Sequence, residues 1–276
     1  MIINQNVSGG GSSPDPMSLK LAVTNTHRLE NSKTSTSVID FTGVWVVGNF
    51  VMAKSYSGNK VITGTAFRNG SDIRIIESYG AAYSFDGCTG ITATGLDNLE
   101  EIYNNGLAAA FAGCTGITTI DVSHIGIIES YGMNATYSSC SNLTGSIYFD
   151  SLVEISGEGN LAYCFSDTNV TDIYFTALQE VYPSDATSPD PEDPENVDES
   201  NCNMFTGMLS NVRGCTVHFP SNLQGRFDAW NDFASGFGGI NTTILYDLDP
   251  TAEPEPEPEP EEPEEPEEPE PEEPME

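Results

Sequence analysis

Phe85-Asp86-Gly87-Cys88-Thr89-Gly90-Ile91 returns as Phe111-Ala112-Gly113-Cys114-Thr115-Gly116-Ile117, and again as Tyr137-Ser138-Ser139-Cys140-Ser141-Asn142-Leu143, each time 26 residues on. A constant period of roughly 20–50 residues is the mark of a solenoid, in which each repeat buries its apolar face against the next. After each block the apolar residues keep one order. It runs Ile117, Ile120, Val122, Ile125, Ile128 in one copy and Leu143, Ile147, Phe149, Leu152, Ile155 in the next. Val170, Ile173, Phe175, Leu178 and Val181 continue it. Alternation at Ile120/Val122, Ile147/Phe149 and Ile173/Phe175 predicts a short strand with one face inward. Phe85, Cys88, Ile91, Phe111, Cys114, Ile117, Tyr137, Cys140, Leu143 and Phe165 are the expected repeat core. The Ala-containing stretches 79–85 and 107–111 predict a single helical or 3₁₀ turn on the opposite side of the coil, being too short for independent helices.

These residues carry a resemblance. Ala110-Phe111-Ala112-Gly113-Cys114-Thr115-Gly116-Ile117-Thr118-Thr119-Ile120 resembles the BspA-type leucine-rich repeat, whose signature runs Ala-Phe-x-x-Cys-x-x-Leu-x-x-Ile. The blocks from Phe85 and Tyr137 fit it well, whereas Cys164-Phe165 lacks the Cys at the expected place. The expected fold is an α/β-type repeat solenoid, mostly β: a short BspA-like leucine-rich repeat coil with terminal caps and a disordered acidic tail. Members of the family are mostly surface-exposed adhesion or interaction proteins, so the resemblance implies recognition.

The chain divides by composition. Residues 1–37 are polar, with Gly9-Gly10-Gly11-Ser12-Ser13-Pro14 reading as a linker and the whole segment as an attachment arm. Residues 38–72 carry β-type runs out of register with the later repeat, and read as an N-terminal β cap. The repeats span 73–182. Residues 183–200 hold seven acids and four Pro and read as a solvated insertion. Residues 201–248 read as a degenerate repeat and C-terminal cap: a strand at Val217–Phe219, a helix with apolar residues at 223, 227, 230 and 233, and a last strand at 244–246. Residues 249–276 are Glu-Pro repeats, expected to be extended and disordered.

The chain has 9 Lys and Arg against 42 Asp and Glu, a net charge of −33. Outside the insertion and residues 253–276, 21 acids still face those 9 bases. Nucleic-acid binding is not expected, because phosphate contacts need clustered cations. No run of apolar residues is long enough to span a membrane, and the start has neither the basic nor the apolar region of a secretory leader. The chain is therefore read as made in the cytoplasm, and its destination as a virion or cell surface.

No cofactor, metal or catalytic site is expected. The three His are scattered and no Cys-x-x-Cys occurs, and no nucleotide or hydrolase motif is present. Cys88, Cys114 and Cys140 share one repeat position and read as a column of small buried thiols. A disulfide from Cys164, Cys202 or Cys215 stays open. Glu77 and Glu129 recur in Ile-Glu-Ser-Tyr-Gly contexts, which repetition explains better than a carboxylate pair.

In the strand register the residue between the two inward ones is Asp121, Tyr148, Tyr174 and His218 in successive rungs. That column is the candidate binding face, with Tyr79, Tyr103 and Tyr131 as a second stripe. The function expected is non-enzymatic recognition of a protein or glycan on a cell surface by a phage virion component: fibre, decoration or receptor-binding protein. Copies would associate through the N-terminal segment. The alternatives are a bacterial surface adhesin and an intracellular interaction scaffold.

Overall fold

The computed structural model describes residues 34–36, 38–182, 203–228 and 236–249. The arm 1–33, the insertion 183–200 and the tail beyond Asp249 lie outside the described residues, as do Cys202 and Trp230.

The chain winds as a parallel β-solenoid of about six turns. Its elements are β1 (Val46–Val47), β2 (Gly64–Thr65), β3 (Ile75–Ile76), β4 (Ile91–Ala93), β5 (Glu101–Ile102), β6 (Ile127–Ile128), β7 (Thr144–Tyr148), β8 (Glu154–Ser156), β9 (Asn169–Tyr174), β10 (Glu180–Tyr182), β11 (Thr216–Pro220), the short helix α1 (Gln224–Asp228) and β12 (Thr243–Leu248). One side of the coil is a six-stranded sheet, β1-β3-β5-β6-β8-β10. Another holds the four-stranded sheet β12-β11-β9-β7 and the pair β2-β4. All pairings are parallel. Val47, Ile76, Ile102, Ile128, Ile155 and Val181 point inward as one buried column.

The remaining side is not helical. Tyr79, Ala81, Tyr83 and Phe85 donate their N–H groups to the carbonyls of Asn104, Gly106, Ala108 and Ala110 in the next rung, at 3.0, 2.9, 2.8 and 2.8 Å. The N–H groups between them loop back three residues instead, Gly80 to Glu77, Ala82 to Tyr79 and Ser84 to Ala81. The result is a run of linked turns whose alternate amides form a ladder to the neighbouring rung. It demands a left-handed residue every fourth position: Tyr79, Tyr83 and Gly87, then Asn105, Ala109 and Gly113, then Tyr131, Ala135 and Ser139. The expected helical turn is corrected accordingly. Helix preference is worth only tenths of a kcal/mol per residue, whereas the turn ladder gives buried backbone groups partners in the stacked rung.

Residues 38–72 follow the same path as the later rungs. Met52, Lys54 and Tyr56 donate to Gly80, Ala82 and Ser84, and Phe50, Lys54 and Gly58 are left-handed. This first rung runs 29 residues from Val46 to its partner Ile75, which hides it from a 26-residue comparison.

Two columns fill the space beneath the turn ladder. The rings of Tyr56, Phe85, Phe111, Tyr137 and Phe165 stack with centroids 5.2, 5.9, 5.6 and 5.9 Å apart. Beside them Cys88, Cys114 and Cys140 are buried, each thiol 3.1 Å from the carbonyl of the aromatic one rung earlier, to which it donates. In the fourth copy Thr168 takes this place and donates to the Phe165 carbonyl at 2.7 Å. Cys164 and Cys215 are buried free thiols.

One expected strand is missing. Residues 117–122 form no strand, and the gap separates β2-β4 from the four-stranded sheet. There the Asp121 carboxylate accepts from the Ser123 amide at 3.0 Å and its hydroxyl at 2.7 Å. At the C-terminal end, Leu223 and Phe227 are buried, Phe227 on α1.

In the rung after Tyr131 the equivalent left-handed position is a glycine. Gly159 has φ +58°, and a Cβ there would lie 2.5 Å from the Tyr131 ring. Gly113, at φ +68°, has nothing closer than 3.5 Å. Gly113→Ala should therefore cost only the left-handed penalty, about 1–2 kcal/mol. Gly159→Ala should cost about 1 kcal/mol more, because the Tyr131 ring must swing away. Urea midpoints of the two variants measure the difference; equal midpoints would remove the ring from the account.

Candidate binding face

The outward positions of the four-stranded sheet follow from its register. Tyr148 pairs with Tyr174, Tyr174 with His218 and His218 with Leu245. Their neighbours Ile147, Ile173 and Val217 point into the core, so the four side chains share the outer face. Tyr148 and Tyr174 stack at 4.8 Å and 7°, and Tyr174 and His218 at 4.2 Å and 10°. Tyr148 is 47% exposed, whereas His218 is buried among its neighbours.

Three of the four expected residues thus come together. Asp121 occupies the corresponding sequence position one rung earlier, but its carboxylate is turned onto Ser123 and the segment has left the sheet. The structure also adds residues that spacing did not single out. Asp247 on β12 accepts from or faces His218 Nδ1 through both oxygens, at 3.0 and 2.9 Å. Asp172 on β9 stands 3.8 Å from His218 Nε2, an atom buried with no hydrogen-bond partner. Ser146 completes the row, its hydroxyl 3.5 Å from Asp172. The signal for Asp172 was present in the sequence, since it lies two residues before Tyr174 on the same face.

The stacking changes what the face offers. The rings are parallel and each covers the face of the next, so what points outward is a comb of ring edges and phenol groups. At the Tyr148 end of the column one ring face has no further ring of the described residues stacked on it. β7 is the sheet's edge strand, and among the described residues Tyr148 has a ring neighbour only in Tyr174. Burial, then the charges of Asp172 and Asp247, hold the Tyr174 phenol above its usual range.

The second stripe is corrected. Tyr79 and Tyr131 occupy one turn-ladder position with Asn105 between them, all left-handed. Tyr103 instead follows Ile102, in the column of Glu77 and Glu129, which follow Ile76 and Ile128. Its hydroxyl donates to Glu101 at 2.7 Å. That bond, with burial and the nearby charges of Glu101, Glu129 and Glu77, pushes the phenol up to about 12. Glu77 and Glu129 accept backbone N–H groups of the preceding rung, from Asn49 at 3.1 Å and Asn104 at 3.3 Å. Tyr79 itself stacks on Phe50 at 5.0 Å and 8°.

Parallel rings in contact couple energetically by about 0.5–1.5 kcal/mol beyond the area they bury. A double-mutant cycle on Tyr148→Ala and Tyr174→Ala should return a coupling in that range. Additive losses would show that the two rings merely lie beside each other.

Among the described residues no cluster of His, Cys, Asp and Glu is arranged to hold a metal ion, and no helix is long and apolar enough to cross a membrane. Comparison of the chain with protein-family models, with curated proteins and with solved structures gave no match.

Proposed function

We propose that this protein is a non-enzymatic recognition module of the BspA-like kind, displayed on a virus particle or cell surface to engage a protein or glycan of a host cell. The observation that carries the reading is the Tyr148–Tyr174–His218 column. It sets exposed ring edges and phenols in a fixed row on a sheet whose other face is the core. Side chains held in this way lose little conformational entropy when a partner arrives, which favours affinity, and Tyr is suited to mixed apolar and hydrogen-bonding contact. Solenoids use such extended faces for partners.

The test is binding of the fluorescently labelled full chain to intact cells of the source culture. Saturable binding that falls at least ten-fold in a Tyr148→Ser/Tyr174→Ser variant with an unchanged circular dichroism spectrum supports the reading. Binding that ignores the double variant moves recognition off this face, and no saturable binding overturns it. Mass spectrometry of purified virus particles, washed envelopes and cytosol separates the settings. Recovery with particles supports the virion component, recovery with envelopes the adhesin, and recovery in cytosol alone overturns both.

A further inference from the structure

We propose that the partner of this face is a basic protein segment, and that an arginine side chain continues the stack at its open end, on Tyr148. This rests on the outer face of the four-stranded sheet being the recognition surface. Two independent observations lead to it.

The first is the distribution of charge. Residues 75–182 contain 13 Asp and Glu and no Lys or Arg. The outward positions of the four-stranded sheet are Ser, Thr, Asn, Tyr, Asp, His and Leu, again with no Lys or Arg. A partner lying along residues 75–182 meets carboxylates and no Lys or Arg, although exposed Arg213 stands three residues before β11. Like-charge contact costs several kcal/mol, while opposite potentials speed and orient docking. An anionic glycan or lipid surface is disfavoured on that ground.

The second is the geometry of the stack's end. Successive rings advance 4.8 Å along the coil from Tyr174 to Tyr148. A planar group one step further lies at the level of the preceding rung, where the matching residue is Asp121. Asp121 is exposed, and the same Oδ1 accepts both of its bonds from Ser123. Asp172 flanks the column on the next rung, with a side chain about one-third exposed. A ring face at the column's end with the exposed Asp121 carboxylate on the adjoining level suits a guanidinium, which stacks flat and donates in its plane. A lysine ammonium would gain the charge without the stacking.

The probe is acetyl-tetra-arginine amide, titrated onto the full chain carrying ¹³C-labelled tyrosine rings, with acetyl-tetra-lysine amide and neutral cellohexaose as comparisons. The Glu-Pro tail attracts both cationic peptides but contains no Tyr, so ring signals report the folded body alone. Tetra-arginine should shift the Tyr148 ring saturably, with Tyr174 moving less. Tetra-lysine should bind this site about three- to five-fold more weakly. Tyr148→Phe keeps the ring face and should keep the affinity, read then on Tyr174, whereas Tyr148→Ala should lower it about five-fold. Unmoved Tyr148 signals, or equal affinity in Tyr148→Ala, overturn the proposal. A shift with cellohexaose and none with tetra-arginine overturns it too, while leaving the face itself as a recognition surface for glycan.

Discussion

Raising the pH from 8 to 10 should remove roughly 5–7 kcal/mol of folding stability, enough to unfold an ordinary domain that has 5–15 kcal/mol to lose. Five cysteines of the described coil are buried free thiols. Burial is the largest cause in each case, and it pushes Cys88 up to about 11 and Cys140 and Cys215 up to about 12, from an ordinary 9.0. Cys114 and Cys164 are raised further still by the same cause. The sign follows from proton counting. Above pH 9 the unfolded chain releases its thiol protons while the folded coil keeps them. The unfolded state then binds fewer protons, so stability falls as pH rises. Below pH 9 this contribution is fully present. It is lost progressively from there towards the folded values, at a little over 1 kcal/mol per thiol by pH 10. Buried Tyr137 and Tyr56, both raised chiefly by burial, add to the loss above pH 10. Urea midpoints between pH 7.5 and 10.5 under reducing conditions measure the slope. A flat profile, or thiolate absorbance titrating near pH 9 in the folded protein, would refute it.

That thiol column shows which parts of this fold could be read in advance. Cys88, Cys114 and Cys140 recur at one phase of the repeat with Phe85, Phe111 and Tyr137. A residue type fixed at one phase declares that it meets its own copies in the next rung. The outward placement of Tyr148, Tyr174 and His218 was legible for the same reason, since a period of two decides which residues face out. What could not be read was set by backbone geometry. The turn ladder looks like a short helix because Leu107-Ala108-Ala109-Ala110 satisfies helix preference. Its real signal is the left-handed position every fourth residue, visible at Gly58, Gly87, Gly113, Gly159 and Gly207 and obscured by Tyr79, Tyr83 and Tyr131 at equivalent sites. A left-handed Tyr costs about 1–2 kcal/mol, so local preference argued against the answer there. Asp247 joins the face through strand order, which places β11, carrying His218, between β12 and β9.

Phe111→Ala should cost about 3–5 kcal/mol and, unlike an ordinary core truncation, should divide the molecule. The ring is fully buried in the middle of the aromatic column, stacked on Phe85 at 5.9 Å and Tyr137 at 5.6 Å, with Phe67 edge-on at 6.2 Å. In a solenoid each rung touches only its neighbours, so stability is close to a sum of rung terms and nearest-neighbour interface terms. Removing Phe111 weakens two interfaces at once, the one towards Phe85 and the one towards Tyr137. The rungs on either side then lose the coupling that makes them unfold together. The denaturant slope should fall along with the midpoint, and hydrogen exchange should show the N-terminal rungs opening ahead of those from Tyr137 onward. Phe41→Ala, a truncation of similar size at the first turn, breaks fewer inter-rung contacts and should lower the midpoint while leaving the slope of the rest intact. Phe111→Leu fills most of the space and should cost far less. A single transition of unchanged slope in Phe111→Ala would mean that the coil behaves as one cooperative unit and that the aromatic column is not what couples its rungs.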